Sequence, residues 1–111
     1  MADIKRTIRE LSTTIASGAT ESSAVELRQF AGGGYSLPSS YDGTAITFKV
    51  CDDESGTYQA LYDQYGNQVS VVTAASRSFA LPSELFGWPW FKFVAGTSQT
   101  GDTTITVVLA G

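Results

Sequence analysis

The sequence predicts an all-β fold, a single antiparallel β-sandwich or jelly roll of about eight strands. Three observations predict it. Short segments alternate between apolar and polar residues, turn-forming residues separate these segments, and β-branched and aromatic residues are frequent inside them. The chain of 111 residues has the length of one domain. We therefore expect one sandwich over residues 11–111, preceded by an extended N-terminal arm over residues 1–10.

The start of the chain allows two interpretations. Ile4, Ile8 and Leu11 have the spacing of a short amphipathic helix. The threonine and isoleucine content of residues 11–15 favours a strand instead, and we expect an arm that leads into a strand. A second strand is expected over residues 23–27, where polar and apolar residues alternate.

Three consecutive glycines, Gly32 to Gly34, are expected to interrupt the chain. Glycine loses more backbone entropy than other residues inside a regular element, so a run of three indicates a break. A short strand over residues 35–37 should end at Pro38. The later strands are expected at residues 45–50, 57–62, 69–71, 77–81, 90–94 and 103–109. Residues 82–87 have the composition of one helical turn.

The most aromatic segment of the chain is Leu85–Val94, which holds both tryptophans and three of the six phenylalanines. Alternation places Phe91 and Phe93 in the core. Trp88 and Trp90 flank Pro89 and are expected at the edge of a sheet. Three hypotheses for the tryptophans stay open: ordinary edge packing, a subunit interface rich in aromatic residues, and a platform on which sugars stack.

The composition excludes several classes of function. Charged residues make up only 16% of the chain, which is typical of a subunit with buried interfaces. The net charge of −4 argues against nucleic-acid binding, which needs a basic face. There is no histidine, and Cys51 is the only cysteine, so no intrachain disulfide is expected. The start has no apolar signal region, and no run is long enough to span a membrane.

The acidic residues do not form a convincing catalytic or metal site. Asp52, Asp53 and Glu54 are the densest carboxylate group, but they do not match the spacing of a calcium loop. A solvated loop is the simpler interpretation. No G-x-S-x-G elbow occurs, and the chain is too short to place two carboxylates across a deep cleft. We expect no enzymatic activity, no catalytic residue, no cofactor and no metal.

The order of short motifs from residue 45 onward carries a family resemblance. The motifs are Ile46-Thr47-Phe48-Lys49-Val50, Gly56-Thr57-Tyr58, Leu61-Tyr62-Asp63, Gly66-Asn67-Gln68-Val69, Gly87-Trp88, Phe91-Lys92-Phe93 and Thr103 to Leu109. The pattern resembles a small β-sandwich module of tailed-bacteriophage structural proteins, which include capsid cement (decoration) proteins and head or tail fibres. The likeness extends from about residue 12 to the end. Many relatives have a longer linker with an Arg before the last strand, where this chain has Gly101-Asp102.

The resemblance implies a non-enzymatic virion protein, and the module with a short arm fits a cement protein better than a long fibre. Such a protein is made in the host cytoplasm. It sits as a homotrimer on the outer surface of the capsid and binds the lattice of the major capsid protein, without nucleic acid or membrane. Lys5, Arg6 and Arg9 would face an acidic patch on the shell. Trp88 and Trp90 would contribute to buried contacts. The alternative is a receptor-binding or carbohydrate-binding module of a head or tail fibre.

Overall fold

The computed structural model describes residues 8–111, which form two antiparallel sheets packed on each other. The strands are β1 (Ile8–Ile15), β2 (Val25–Glu26), β3 (Gly32–Ser36), β4 (Ala45–Cys51), β5 (Gln59–Ala60), β6 (Ser70–Val72), β7 (Ser78–Ala80), β8 (Trp90–Ala95) and β9 (Thr103–Ala110). Sheet 1 has the order β1-β9-β3-β7. Sheet 2 has the order β2-β8-β4-β5, and β6 pairs with β4. The predicted all-β sandwich is confirmed. The helical turn that the sequence predicts is present as a 3₁₀ helix, Ser83–Gly87.

The core lies between the inner faces of the two sheets. Phe48, Phe91 and Phe93 of sheet 2 are completely buried, and Tyr35 of sheet 1 packs against them. The Tyr35 and Phe93 ring centroids are 4.9 Å apart, and those of Phe91 and Phe93 are 5.0 Å apart. The prediction that Phe91 and Phe93 belong to the core is confirmed. Strand β9 of sheet 1 contributes every second residue to the core, as its sequence pattern predicts.

The first strand begins earlier than the sequence suggests. Residues 8–10, which the sequence assigned to the arm, pair with residues 108–110 of β9. The pairing continues without interruption to Ile15, opposite Thr103. Strand β9 extends to Ala110, and the longer β1 provides hydrogen-bond partners for its backbone up to that end. Lys5 and Arg6 lie outside the described residues, whereas Arg9 lies within β1.

The expected break at the three glycines is wrong, because Gly32–Gly34 are the first three residues of β3. The strand lies between β9 and β7, and the neighbouring backbones approach it closely. A Cβ atom on Gly33 would overlap the carbonyl oxygen of Val108. A Cβ atom on Gly34 would lie 2.8 Å from the carbonyl oxygen of Phe79. The close approach of the neighbouring backbones therefore requires glycine at positions 33 and 34. The hydrogen bonds of β3 to β7 and β9 offset the entropic cost of these glycines.

We expect Gly33→Ala to lower the free energy of unfolding by about 2–3 kcal/mol, because a backbone oxygen cannot move aside for the new methyl group. Gly32→Ala is the matched control, since a Cβ atom there meets nothing within 4 Å. That control should change stability by less than about 1 kcal/mol. Urea denaturation of both variants measures the difference. Equal losses in the two variants would show that close approach is not the reason for glycine at position 33.

One buried glutamine ties together the loops at one end of the sandwich. Gln99 is only 1% exposed. Its Oε1 accepts hydrogen bonds from the Asp42 backbone N–H and the Thr103 hydroxyl, both at 2.9 Å. Its Nε2 donates to the Asp42 and Thr97 carbonyl oxygens at 2.7 and 3.0 Å. The Gln99 carbonyl also accepts from the Gly18 N–H at 2.7 Å. The Gln99 side chain thus joins the segment between β3 and β4, which contains Asp42, to the segment between β8 and β9, and it satisfies polar groups of both.

Replacing this side chain should destabilise the fold. Gln99→Ala leaves several buried polar groups without partners, and we expect a loss of about 2–4 kcal/mol in unfolding free energy. Gln68→Ala is the control, because Gln68 is exposed, and we expect a change within about 0.5 kcal/mol. Thermal and chemical denaturation measure both. A Gln99→Ala variant as stable as the control would contradict the role given to the glutamine.

Candidate interaction surfaces

The outer face of sheet 1 is almost free of charge. The register places alternate residues of its four strands on this surface, which we call the neutral face. Its members are Ile8, Glu10, Ser12, Thr14, Gly32, Gly34, Ser36, Ser78, Ala80, Thr104, Thr106, Val108 and Ala110. Glu10 is the one ionisable side chain among them. Neighbouring hydroxyls pair with each other, as in Ser36 and Ser78 at 2.7 Å.

The neutral face has the properties of a surface that another protein can cover. Its side chains are short, so a partner can approach the backbone closely. Val108 is 41% exposed and Ile8 66% exposed, and both add apolar area. Covering the face desolvates a single carboxylate, that of Glu10, and the burial of an unpaired charge is costly. Exposed and buried residues alternate along β9, but only the pairing of four strands that are distant in the sequence brings this surface together.

The outer face of sheet 2 is charged. Lys49 forms an ion pair with Glu21 at 2.7 Å. The Nζ atom of Lys92 lies 4.5 Å from the centroid of the Tyr58 ring. Tyr58 donates a hydrogen bond to the carbonyl of Glu54 at 2.8 Å, and burial, followed by the nearby Cys51 thiol and acidic residues, raises its pKa. The two outer faces therefore differ, since one is neutral and the other carries paired charges.

Two of the residues predicted to bind partners meet in one cleft. Arg9 and Trp90 line an opening of about 310 Å³ between the edge strands β1 and β2, together with Leu11, Glu26 and Glu54. Trp90 is partly buried, and its indole N–H has no hydrogen-bond acceptor among the described residues. A buried N–H without a partner is costly. We call this opening the Arg9–Trp90 cleft.

Trp88 lies in a different cleft. It is 42% exposed and lines an opening of about 360 Å³ together with Tyr62, which is 55% exposed. The two tryptophans are therefore not parts of one platform. The reason is local: Trp88 follows the 3₁₀ helix and donates its N–H to the Leu85 carbonyl at 3.1 Å, whereas Trp90 is the first residue of β8. The sequence indicated Trp88, but it did not indicate Tyr62, whose approach depends on the tertiary fold.

Two further findings on residues 8–111 concern the acidic loop and the helices. Asp52, Asp53 and Glu54 lie in the loop after β4, and in residues 8–111 no three acidic, cysteine or histidine side chains are placed to hold a metal. Within the same residues, no helix has the length and apolar character needed to cross a bilayer.

A solved structure shares this fold. The crystal structure of SPBc2 prophage-derived protein YomS aligns over 99% of this chain and 100% of that chain, with a TM-score of 0.59 and 20% sequence identity. The alignment therefore includes both sheets and the loops between them. No family model matches the sequence, and no curated protein matches it. At this level of identity, the similarity establishes the shared fold.

The different environments of the two tryptophans predict different fluorescence. In a Trp90→Phe variant the remaining Trp88 should emit at longer wavelength and be quenched readily by acrylamide, because it is exposed to solvent. In a Trp88→Phe variant the remaining Trp90 should emit at shorter wavelength and be protected, because its indole N–H is buried. Equal quenching constants for the two variants would contradict this arrangement.

Proposed function

We propose that this chain is a non-enzymatic structural protein of a tailed-bacteriophage virion, and specifically a capsid cement (decoration) protein. It would bind the lattice of the major capsid protein on the outer surface of the head and stabilise the shell. The phage setting is supported by the resemblance of the sequence to virion modules. It is also supported by the fold shared with a prophage-derived protein along the whole chain.

The observation that carries the proposed role is the neutral face. A cement protein must cover part of a folded shell without a large desolvation penalty, and a sheet face with one carboxylate meets that need. We propose that this face lies on the major capsid protein. The charged outer face of sheet 2 would then point to solvent, where the Lys49–Glu21 pair keeps its hydration.

The proposed homotrimer would form at the side of the sandwich that contains the Arg9–Trp90 cleft. Strands β1 and β2 are the edges of their sheets there, so each has backbone groups that can pair with another chain. Each contact with the shell would be modest, but a trimer engages several capsid subunits at once and gains from their effective concentration.

The role of the neutral face is tested with capsids that lack this protein. Val108→Glu adds a second carboxylate directly opposite Glu10 and should weaken co-sedimentation with the capsids about tenfold or more, because both charges must be desolvated on binding. Val72→Glu is the matched control, since Val72 is 82% exposed on the outer face of sheet 2. It should bind as the wild type does. Equal binding by both variants would exclude the neutral face as the capsid contact.

The same assay tests the N-terminal arm. The deletion should remove residues 2–7 only, because residues 8–10 belong to β1 and their loss would damage the sheet. We expect the shortened chain to keep its thermal stability and to occupy fewer capsid sites, since Lys5 and Arg6 are then absent. Full occupancy would exclude the arm as a shell contact. Size-exclusion chromatography with light scattering shows whether the chain is a trimer before it binds.

The alternative, a receptor-binding module of a head or tail fibre, is favoured by one observation. Trp88 is a large apolar side chain that remains 42% exposed beside a second exposed aromatic residue. Such a pair is expected where a ligand binds. A fibre module would not co-sediment with capsid shells, so the capsid assay separates the two functions.

A further inference from the structure

The cleft that contains Trp88 is built as a site for a small ligand. Its volume of about 360 Å³ lies within the usual range for such sites. The cleft is lined by the end of β4, by the segment that contains β5, and by Trp88 from the segment between the 3₁₀ helix and β8. Tyr62 and Trp88 share the cleft, whereas Tyr65, which is 79% exposed, does not line it.

Both aromatic side chains stand on backbone that is tied to the core. Next to Tyr62, the Leu61 N–H donates to the Phe48 carbonyl at 2.9 Å, and the Leu61 carbonyl accepts from Val69 at 3.0 Å. Next to Trp88, the Pro89 carbonyl accepts from the Leu27 N–H at 2.7 Å. The backbone that carries the two aromatics is therefore held in place before any ligand arrives. A preformed site loses little conformational entropy on binding.

The polar groups of the cleft indicate the chemistry of the ligand. Asp52, Thr57 and Gln59 supply a carboxylate, a hydroxyl and an amide, which together can donate and accept hydrogen bonds. Among the described residues that line the cleft none is basic, so a phosphate or other anion is disfavoured. The ligand should thus combine several hydroxyl groups with an apolar C–H surface that packs against an aromatic ring.

We propose that the Trp88–Tyr62 cleft binds a neutral saccharide of one or two rings. The C–H face of a sugar ring packs on an aromatic side chain, and its hydroxyls bond to Asp52, Thr57 and Gln59. An ammonium ligand would use the aromatic rings and Asp52. It would leave the groups of Thr57 and Gln59 unused, so the saccharide accounts for more of the cleft. The site does not depend on capsid binding and can operate on a cement protein as well as on a fibre.

The experiment titrates the full chain with glucose, galactose, mannose, N-acetylglucosamine and their neutral disaccharides. Saturation-transfer NMR detects binding, and tryptophan fluorescence follows Trp88 in the Trp90→Phe background. We expect at least one of these sugars to bind with a dissociation constant of about 10 mM or lower. Trp88→Ala and Tyr62→Ala should each weaken that binding about tenfold, through loss of the aromatic contact. Asp52→Asn should weaken it because a charged hydrogen-bond acceptor is lost.

Two controls make the result specific. Tyr65→Ala removes an exposed tyrosine outside the cleft and should leave sugar affinity unchanged. Circular dichroism and thermal melts show that each variant folds, and Tyr62→Phe provides a milder change at the same position. Absence of binding to all of the sugars would overturn the proposal. So would binding that Trp88→Ala and Tyr62→Ala leave intact, or tighter binding of tetramethylammonium than of any sugar.

The outcome is separable from the capsid assay. Trp88→Ala should sediment with capsids as the wild type does, because Trp88 does not belong to the neutral face. Loss of sugar binding with retained capsid binding supports the cleft as an independent site. Loss of capsid binding in Trp88→Ala would contradict the separation of the two surfaces.

Discussion

The contact between Tyr35 and the phenylalanines of the opposite sheet holds the structure together. Two sheets have no backbone hydrogen bonds between their faces, so side-chain packing must join them. Burial of the Tyr35 ring contributes about 1.5–3 kcal/mol, and its contacts with Phe48 and Phe93 of sheet 2 contribute about 0.5–1.5 kcal/mol each. Within sheet 1 the ring also stacks on Phe79. Its hydroxyl has no partner among the described residues, which costs about 1–3 kcal/mol. Burial, followed by the nearby Tyr41, raises the pKa of the phenol. The balance favours burial, and the position of β3 depends on it.

This packing also determines what each outer face can do. Because Tyr35 and Gly33 point inward, Gly32, Gly34 and Ser36 point outward and join the threonines of β9 in the neutral face. Apart from Arg9 and Glu10 of β1, the charged residues that the structure describes lie on sheet 2 and between the strands, where the Lys49–Glu21 pair and Lys92 are found. One surface is thus suited to lie against another protein, and the other is suited to water. The cleft that contains Trp88 is lined by none of the residues of the neutral face.

The sequence anticipated those features that depend on neighbouring residues. The alternation in β4, β8 and β9 indicated strands, and it correctly placed Phe91 and Phe93 inside. It failed where a contact with a distant strand decides the conformation. The run Gly32–Gly34 has the composition of a break, yet the approach of Val108 and Phe79 makes glycine necessary in the middle of sheet 1. Likewise, nothing near Trp88 in the chain indicates that Tyr62 shares its cleft.

The amino-acid sequence by itself determined the class of fold and the inward placement of Phe91 and Phe93, because these follow from local periodicity. The tertiary structure alone decided which strands are neighbours. That order assembles a neutral face from four separate segments and places Trp88 and Trp90 in different clefts. The physical reason is that the register between strands is set by packing across the whole sandwich, and a shift of one residue would exchange the inner and outer faces.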